Sequence, residues 1–431
     1  MILTVKPAAS LEGTVLLPSS KSYTIRAFLV AACGGKSTII NPSNSLDAKV
    51  SIRVARCLGA RVKKITEDPL SQWHVEAAQK QKHCQKFDVK ESGTTLRFLL
   101  PLAALRGKKA VITGQGTLYR RPNAYLTNAL RDMGVDIRGT GRKESVPIHI
   151  KGGAFKRRSI TINGGLSSQF ISALLIACPQ LPHATRLWLK GRRLVSTDYI
   201  AMTCQVLKRS GIVIKKEGPR DYRINGHQTF KGLKDFMIPS DYGLAAFLMA
   251  AASLMHSHVR LKGFFRTELV QADAHILFFL KQMGVDLQTT ATEIQIHGPF
   301  FLKGGNFSLA PCPDLLPIMA VLALFARGPT CLYNIAHARS KESDRIRDLS
   351  AELLKIGARI TEKRDAIIIH PQKVYKKNCL LDPHHDHRLA MSFCVLGVKL
   401  GVRIKDIECT RKSYPDFVAD LKRIGIRVSK S

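Results

Sequence analysis

Eight short segments carry residue types that handle anions or protons. Lys21-Ser22 with Arg26, Gly93-Thr94-Thr95 with Arg97, and Ser167-Ser168-Gln169 join hydroxyls or amides to nearby cations or glycine. Asp314 and the run Asp386-His387-Arg388 place acids and bases in comparable settings. Arg120-Arg121 stands before Pro122, Arg411-Lys412 stands before Pro415, and Arg339–Arg347 packs six charged side chains into nine residues. Lysine, arginine and hydroxyls suit phosphate or carboxylate, and carboxylates beside them suit proton transfer. The charge run read alone is a solvated, salt-bridged helix face. His384–Arg388 lies in a single loop with no second cluster at helical spacing, so no metal site is expected. There is no Walker A sequence and no GxGxxG after a strand, so no nucleotide cofactor is expected.

A repeat positions these residues. A helix end followed by Gly and β-branched alternation recurs at Gly59, Gly134, Gly211, Gly284, Gly357 and Gly425, spaced 75, 77, 73, 73 and 68 apart. Each copy reads as an amphipathic helix closed by a left-handed glycine and followed by a strand. A strongly apolar helix with a polar start recurs in phase from Lys21, Gly93, Ser168, Asp241, Asp314 and His387, spaced 72, 75, 73, 73 and 73. Helices apolar all round are buried, yet their first turns present free N–H groups and a positive dipole end. The chemical residues sit at these six starts. Capping explains one Ser or Asp per helix. It does not explain Lys21, Arg26, Arg97 and Arg388, since cations oppose the dipole there, and a bound anion removes the conflict. Six units imply an α/β protein of two similar three-repeat domains.

The 431 residues are 45% hydrophobic and 23% charged, a globular composition that excludes extensive disorder. Tyr242–Met255 is too short to cross a bilayer, and Asn163, Gly164, Gly165, Gln169 and Pro179 interrupt Ser159–Thr185. Met1–Gly13 lacks the basic and apolar regions of a signal peptide. Ten scattered cysteines without a CxxC pair point to reduced thiols in the cytoplasm. Sixty-seven Lys+Arg against 32 Asp+Glu give a net charge of +35. The basic residues are dispersed and aromatics are only 7%, so small anionic substrates are expected and nucleic acid is a minor alternative.

Taken in order, SSKSYTIRA, ESGTTLR, RRP, SSQF, LVSTDY, PD, RSKESDR, DHRLAM and RKSYPDF resemble the enolpyruvyl transferases, most closely the EPSP synthase branch, from Leu17 to about Phe417. The resemblance implies two domains of three βαβαββ-like repeats, an inside-out α/β barrel in each, with buried helices ending at an interdomain cleft. The second domain takes the first strand as well as the C-terminal half, which gives residues 20–238 and residues 1–19 plus 239–431. The implied reaction moves the enolpyruvyl group of phosphoenolpyruvate to the 5-hydroxyl of shikimate 3-phosphate, on the route to chorismate and aromatic amino acids. No cofactor is implied, and a cytoplasmic monomer is expected.

By motif match, Lys21, Ser22, Arg26, Ser167, Ser168, Gln169, Ser196, Tyr199, Asp314 and Lys341 are expected to hold shikimate 3-phosphate. Lys21, Gly93, Arg121, Gln169, Arg345, Arg388 and Lys412 are expected to hold phosphoenolpyruvate. Asp314 is the expected base and Glu342 the expected acid, with Lys21 a competitor for either proton role. Glu91, His337 and His387 have no fixed role. Glu91 stands where the family often has Asn and calls for a basic partner such as Lys90 or Arg121. His337 stands where some members carry an Asn that touches the substrate phosphate. A related branch acting on UDP-N-acetylglucosamine carries Lys-Asn where Lys21-Ser22 stands here. It usually places a cysteine, or in some members an Asp, in the loop that is Gly114–Arg121 in this chain, and neither is present.

Overall fold

The computed structural model describes residues 1–67, 70–78 and 84–431. Twelve α-helices appear among them: α1 Lys21–Ala31, α2 Leu46–Cys57, α3 Gly93–Ala104, α4 Ala124–Asp132, α5 Ser168–Ala177, α6 Thr197–Arg209, α7 Tyr242–Leu254, α8 His275–Gln282, α9 Leu316–Leu324, α10 Arg345–Lys355, α11 His387–Leu400 and α12 Phe417–Arg423. The odd-numbered helices are the apolar ones. In α9 all nine residues are buried, and each large aliphatic side chain so buried contributes about 1.5–3 kcal/mol. The even-numbered helices bury one face only and end at the repeated glycines, whose φ lies between 81° and 103° at all six positions. That left-handed turn closes the helix and starts the next strand.

The described strands form six four-stranded sheets of one design. In a representative repeat, Lys86–Asp88 pairs parallel with Ala110–Thr113, which pairs antiparallel with Ser145–Gly153, and that strand with Val135–Thr140. Helix α3 makes the parallel crossover and α4 leads into the hairpin. This is the βαβαββ order expected from the repeat.

The chain divides into two compact units, Ser19–Ile238 and Met1–Pro18 with Pro239–Ser431. Each unit completes a sheet with strands distant in sequence. In the first unit Phe236–Met237 pairs parallel with Lys36–Ile40. In the second, Ser10–Leu16 pairs parallel with His256–Lys262. There Ile2–Val5 also lies antiparallel between Val402–Lys405 and Val428–Lys430. Two N-terminal strands therefore serve the C-terminal unit, where one was expected. Ile2–Val5 pairs with the last repeat and alternates in burial like any half-covered strand, so nothing local distinguishes its destination.

Candidate active site

In the unit Ser19–Ile238 the starts of α1, α3 and α5 carry hydroxyls and cations. Ser20 caps α1, and Lys21 Nζ lies 3.1 Å from Asp47 Oδ2 on α2. Arg26, one turn on, is buried. It donates from Nε to Thr203 Oγ1, from Nη1 to the Ser22 carbonyl and from Nη2 to the Tyr199 carbonyl, each at 2.9 Å. Burial lowers its pKa to about 10, which leaves it charged at neutral pH. Its guanidinium therefore ties Ser22 to Tyr199, and Ser196, buried and left-handed at φ 54°, precedes that turn.

Gln169 sits at the start of α5. It accepts from Arg97 Nη1 through Oε1 and donates from Nε2 to Thr94 Oγ1 at 2.9 Å. The Ser167 hydroxyl accepts from the Gln169 amide, and Ser168 is buried beside it. A Cβ at Gly93 would lie 2.6 Å from Arg121 Nη1, so the glycine leaves room for that guanidinium on the first turn of α3. Lys90 is ion-paired with Asp88 at 2.7 Å. Pro122 lies outside α4, which starts at Ala124. The Pro122 carbonyl accepts from Arg97 Nη2 at 3.1 Å, a contact that holds Arg97.

In the other unit the starts of α7, α9 and α11 carry carboxylates. Asp241 and Asp386 cap α7 and α11 through their side chains. Asp314 lies in a one-turn 3-10 segment that leads into α9. Its Oδ1 is 2.6 Å from Arg345 Nη1 and 3.4 Å from Lys341 Nζ, and its Oδ2 is 3.1 Å from Arg388 Nη2. Burial pushes this carboxyl up, but Arg388, Lys341 and Arg345 outweigh burial and hold it well below the ordinary carboxylate range. Asp314 is therefore ionised.

Arg345 is almost wholly buried, against expectation for a member of a charge run. It bonds Asp386 from Nε at 2.7 Å and Glu342 from Nη2 at 3.0 Å, besides Asp314. Burial disfavours its charge, yet Asp386, Asp314 and Glu342 raise its pKa well above the usual value. Arg347, two residues on, behaves as the run predicted: its side chain is 69% exposed and pairs with Asp348. His337 is 5% exposed. Burial first, then Lys341 and Arg345, depress it to about 3 despite Asp314, so it is neutral.

The loop before α11 is shaped by acids outside the cluster. His384 and His385 are both left-handed, at φ 52° and 61°. Buried Glu352 bonds His384 Nε2 at 3.1 Å and accepts from the Asp382 amide, while Asp406 bonds His385 Nδ1 at 2.6 Å. The histidines of this loop thus serve as hydrogen-bonding groups for a turn that delivers Asp386 and Arg388. His387 and Lys412 are buried. Lys412 lies at the end of a 3-10 segment, and α12 starts five residues later at Phe417.

The structure thus brings Asp314, Lys341, Glu342, Arg345 and Arg388 together in one unit. In the other it groups Arg26 with Ser22 and Tyr199, and Gln169 with Thr94 and Arg97. Three partners went unrecognised in the sequence: Asp47, Thr203 and Asp273, whose Oδ2 is 3.2 Å from Arg388 Nη2. Asp47 and Asp273 each stand in the first turn of a helical segment, where an acid reads as an ordinary dipole-complementing residue.

A family model for EPSP synthase (3-phosphoshikimate 1-carboxyvinyltransferase) matches residues 5–421. The chain belongs to this family. It is 35% identical over 431 residues to the 3-phosphoshikimate 1-carboxyvinyltransferase of Methanocaldococcus jannaschii, covering 99% of each chain. It is 33% identical over 435 residues to that of Methanococcus maripaludis, again covering 99% of each. Among solved structures, EPSP synthase from Acinetobacter baumannii superposes with a TM-score of 0.80 at 25% identity, with all of both chains covered. The enolpyruvyl transferase NikO from Streptomyces tendae shares the fold at a TM-score of 0.79 and 18% identity, with 100% of this chain and 98% of that one covered. The two-domain inside-out α/β architecture of the EPSP synthase family is the one described above.

Proposed function

We propose that this family member transfers the enolpyruvyl group of phosphoenolpyruvate to the 5-hydroxyl of shikimate 3-phosphate, releasing phosphate, in chorismate and aromatic amino acid biosynthesis. The observation that carries the mechanism is Asp314, an ionised carboxylate shared by Arg345, Arg388 and Lys341. Asp314 accepts the proton of the 5-hydroxyl as its oxygen attacks C2 of phosphoenolpyruvate. Glu342 protonates the C3 methylene, giving a tetrahedral intermediate. Loss of a proton from C3 and of phosphate from C2 then restores the double bond. A carboxylate held by three cations is a weak base. A trianionic substrate on Arg345 and Arg388 offsets those cations and raises the basicity of Asp314 when the hydroxyl is in place.

Arg345, Arg388, Lys412, Arg121, Gly93, Lys21 and Gln169 hold phosphoenolpyruvate, with the arginines matched to planar carboxylate through paired N–H groups. Lys21, Ser22, Ser167, Ser168, Gln169, Ser196, Tyr199, Lys341 and Asp314 hold shikimate 3-phosphate. Arg26 reaches it only with N–H groups not already committed to Thr203, Ser22 and Tyr199. Lys21 remains the competitor for a proton role. The same reading makes the protein a cytoplasmic monomer. The ten cysteines are all free thiols, which fits a reducing compartment; no described helix is long and apolar enough to cross a membrane.

Phosphate release tests the reading. It is expected with shikimate 3-phosphate plus phosphoenolpyruvate and not with UDP-N-acetylglucosamine plus phosphoenolpyruvate. Release with the nucleotide sugar alone, or with neither acceptor, would overturn it.

A further inference from the structure

The Arg388 head group meets carbonyl and carboxylate acceptors within its own unit. Nη1 faces the carbonyls of Gly243 at 3.4 Å and Asp314 at 3.3 Å. Nη2 carries two N–H groups and meets two carboxylates, Asp314 Oδ2 at 3.1 Å and Asp273 Oδ2 at 3.2 Å. Asp273 comes from the 3-10 turn Ala272–Ala274 that leads into α8, and only 6% of it is exposed. It reaches Arg388 across the first turn of α7, where residue 243 is glycine. A Cβ at Gly243 would collide with Asp273 Oδ2 and stand 3.1 Å from Arg388 Nη1. A missing side chain, a buried acid and a buried arginine therefore form one steric and electrostatic unit.

We propose that Asp273 is a positioning residue for Arg388: it holds the guanidinium against the pull of Asp314 and keeps its fork available to phosphoenolpyruvate. The inference rests on the assignment of Arg388 to that substrate. With Asp273 neutral or displaced, Asp314 Oδ2 keeps its hold on Nη2 unopposed by the Asp273 charge. Arg388 then draws onto Asp314, which withholds the cation from the substrate and ties up the base. Burial pushes the Asp273 carboxyl up to about 6, with Asp314 and Asp241 adding to the rise and Arg388 and Lys341 opposing it. Asp273 is thus charged at neutral pH at a cost in stability, the pattern of a group kept for function.

Two variants test the clamp by different routes. Asp273→Asn removes the charge with little change in shape, and Gly243→Ala displaces the carboxylate while leaving its charge. Both are expected to raise KM for phosphoenolpyruvate at least tenfold at pH 7.5 and to leave calorimetric shikimate 3-phosphate affinity within about twofold, the split expected of lost binding geometry. Asp273→Asn should also raise the thermal midpoint, because a charge disfavoured by burial has gone. Gly243→Ala crowds a buried contact and should lower the midpoint modestly, so this variant is read by the split between KM and shikimate 3-phosphate affinity and not by stability. The KM ratio of Asp273→Asn to wild type should fall toward one as pH drops below about 6, where wild-type Asp273 is itself neutral.

An unchanged KM for phosphoenolpyruvate in both variants, with wild-type turnover intact, would overturn the clamp and leave the functional reading standing. Loss of thermal stability in Asp273→Asn would overturn it in favour of a structural ion pair. Absence of wild-type turnover would overturn the clamp together with the reading it rests on.

Discussion

The two units repeat one fold and load its helix starts with opposite chemistry. In Ser19–Ile238, α1, α3 and α5 begin with Lys21, Ser22, Thr94 and Ser168, and Arg121 rests on Gly93. In the other unit the corresponding positions are Asp241, Asp314 and Asp386, interlaced with Lys341, Arg345 and Arg388. Hydroxyls, amides and cations on positive helix ends make an anion site that needs no proton movement. Carboxylates beside arginines make a site whose charges are already balanced before substrate arrives and can be exchanged when it does. The comparison teaches that the buried helix supplies a dipole and N–H groups in every repeat. On the proposed reading, the residue set on that helix end determines whether it only binds substrate or also moves a proton.

The comparison breaks most visibly at the two carboxylates. Asp314→Asn and Glu342→Gln should each lower turnover by about 10²–10⁴-fold, the usual contribution of a general acid or base. Both changes are nearly isosteric, so steady-state rates report proton transfer and not packing. Near-normal turnover in either variant would remove that residue from the chemistry.

A smaller effect belongs to geometry. Arg388→Lys keeps the charge and loses the planar fork. It should weaken phosphoenolpyruvate by roughly 1.5–3 kcal/mol, the range for a hydrogen bond to a charged group. An unchanged dependence of turnover on phosphoenolpyruvate would count against the assignment.

The cationic side of the cluster also sets a pH limit on stability. Burial, Lys341 and Arg345 depress His337 from 6.5 to about 3 in the folded protein. Below pH 6.5 the unfolded chain takes up a proton that the folded one refuses. Stability should fall as pH drops from 6.5 toward 3, by about 1.4 kcal/mol per pH unit from this group. His337→Asn should flatten that slope in chemical denaturation, and an unaltered slope would mean that His337 is protonated in the fold.

The smallest effect sharpens the contrast inside one charge run. Arg347 is mostly exposed and paired only with Asp348 among the ion pairs resolved around it, so Arg347→Ala should change stability by about 0.5 kcal/mol or less. Arg345 is two residues away and buried among three carboxylates. Arg345→Ala should cost several kcal/mol, as breaking a buried pair generally does.

That contrast also marks the limit of what the sequence discloses. Gly59 and its five counterparts announce the repeat because a left-handed helix end admits few other residues. The apolar helices announce their burial because no polar face exists. A charged residue carries no such mark. Arg345 and Arg347 share a run, and only the α10 register places one beneath Asp314 and the other in solvent. Asp273 and Asp47 look like first-turn acids because the local helix uses such residues in the same way. Thr203 accepts from Arg26 across 177 positions, a pairing made by the packing of α1 on α6. The destination of Ile2–Val5 is likewise fixed by the last repeat, some 400 residues downstream.

The division of labour is tested most directly by titrating shikimate 3-phosphate into Glu342→Gln calorimetrically and measuring turnover of the same preparation. The account predicts affinity within about twofold of wild type beside a turnover loss of about 10²-fold or more. Affinity that falls in parallel with turnover would place Glu342 in substrate binding and contradict the assignment of proton chemistry to the carboxylate-bearing unit.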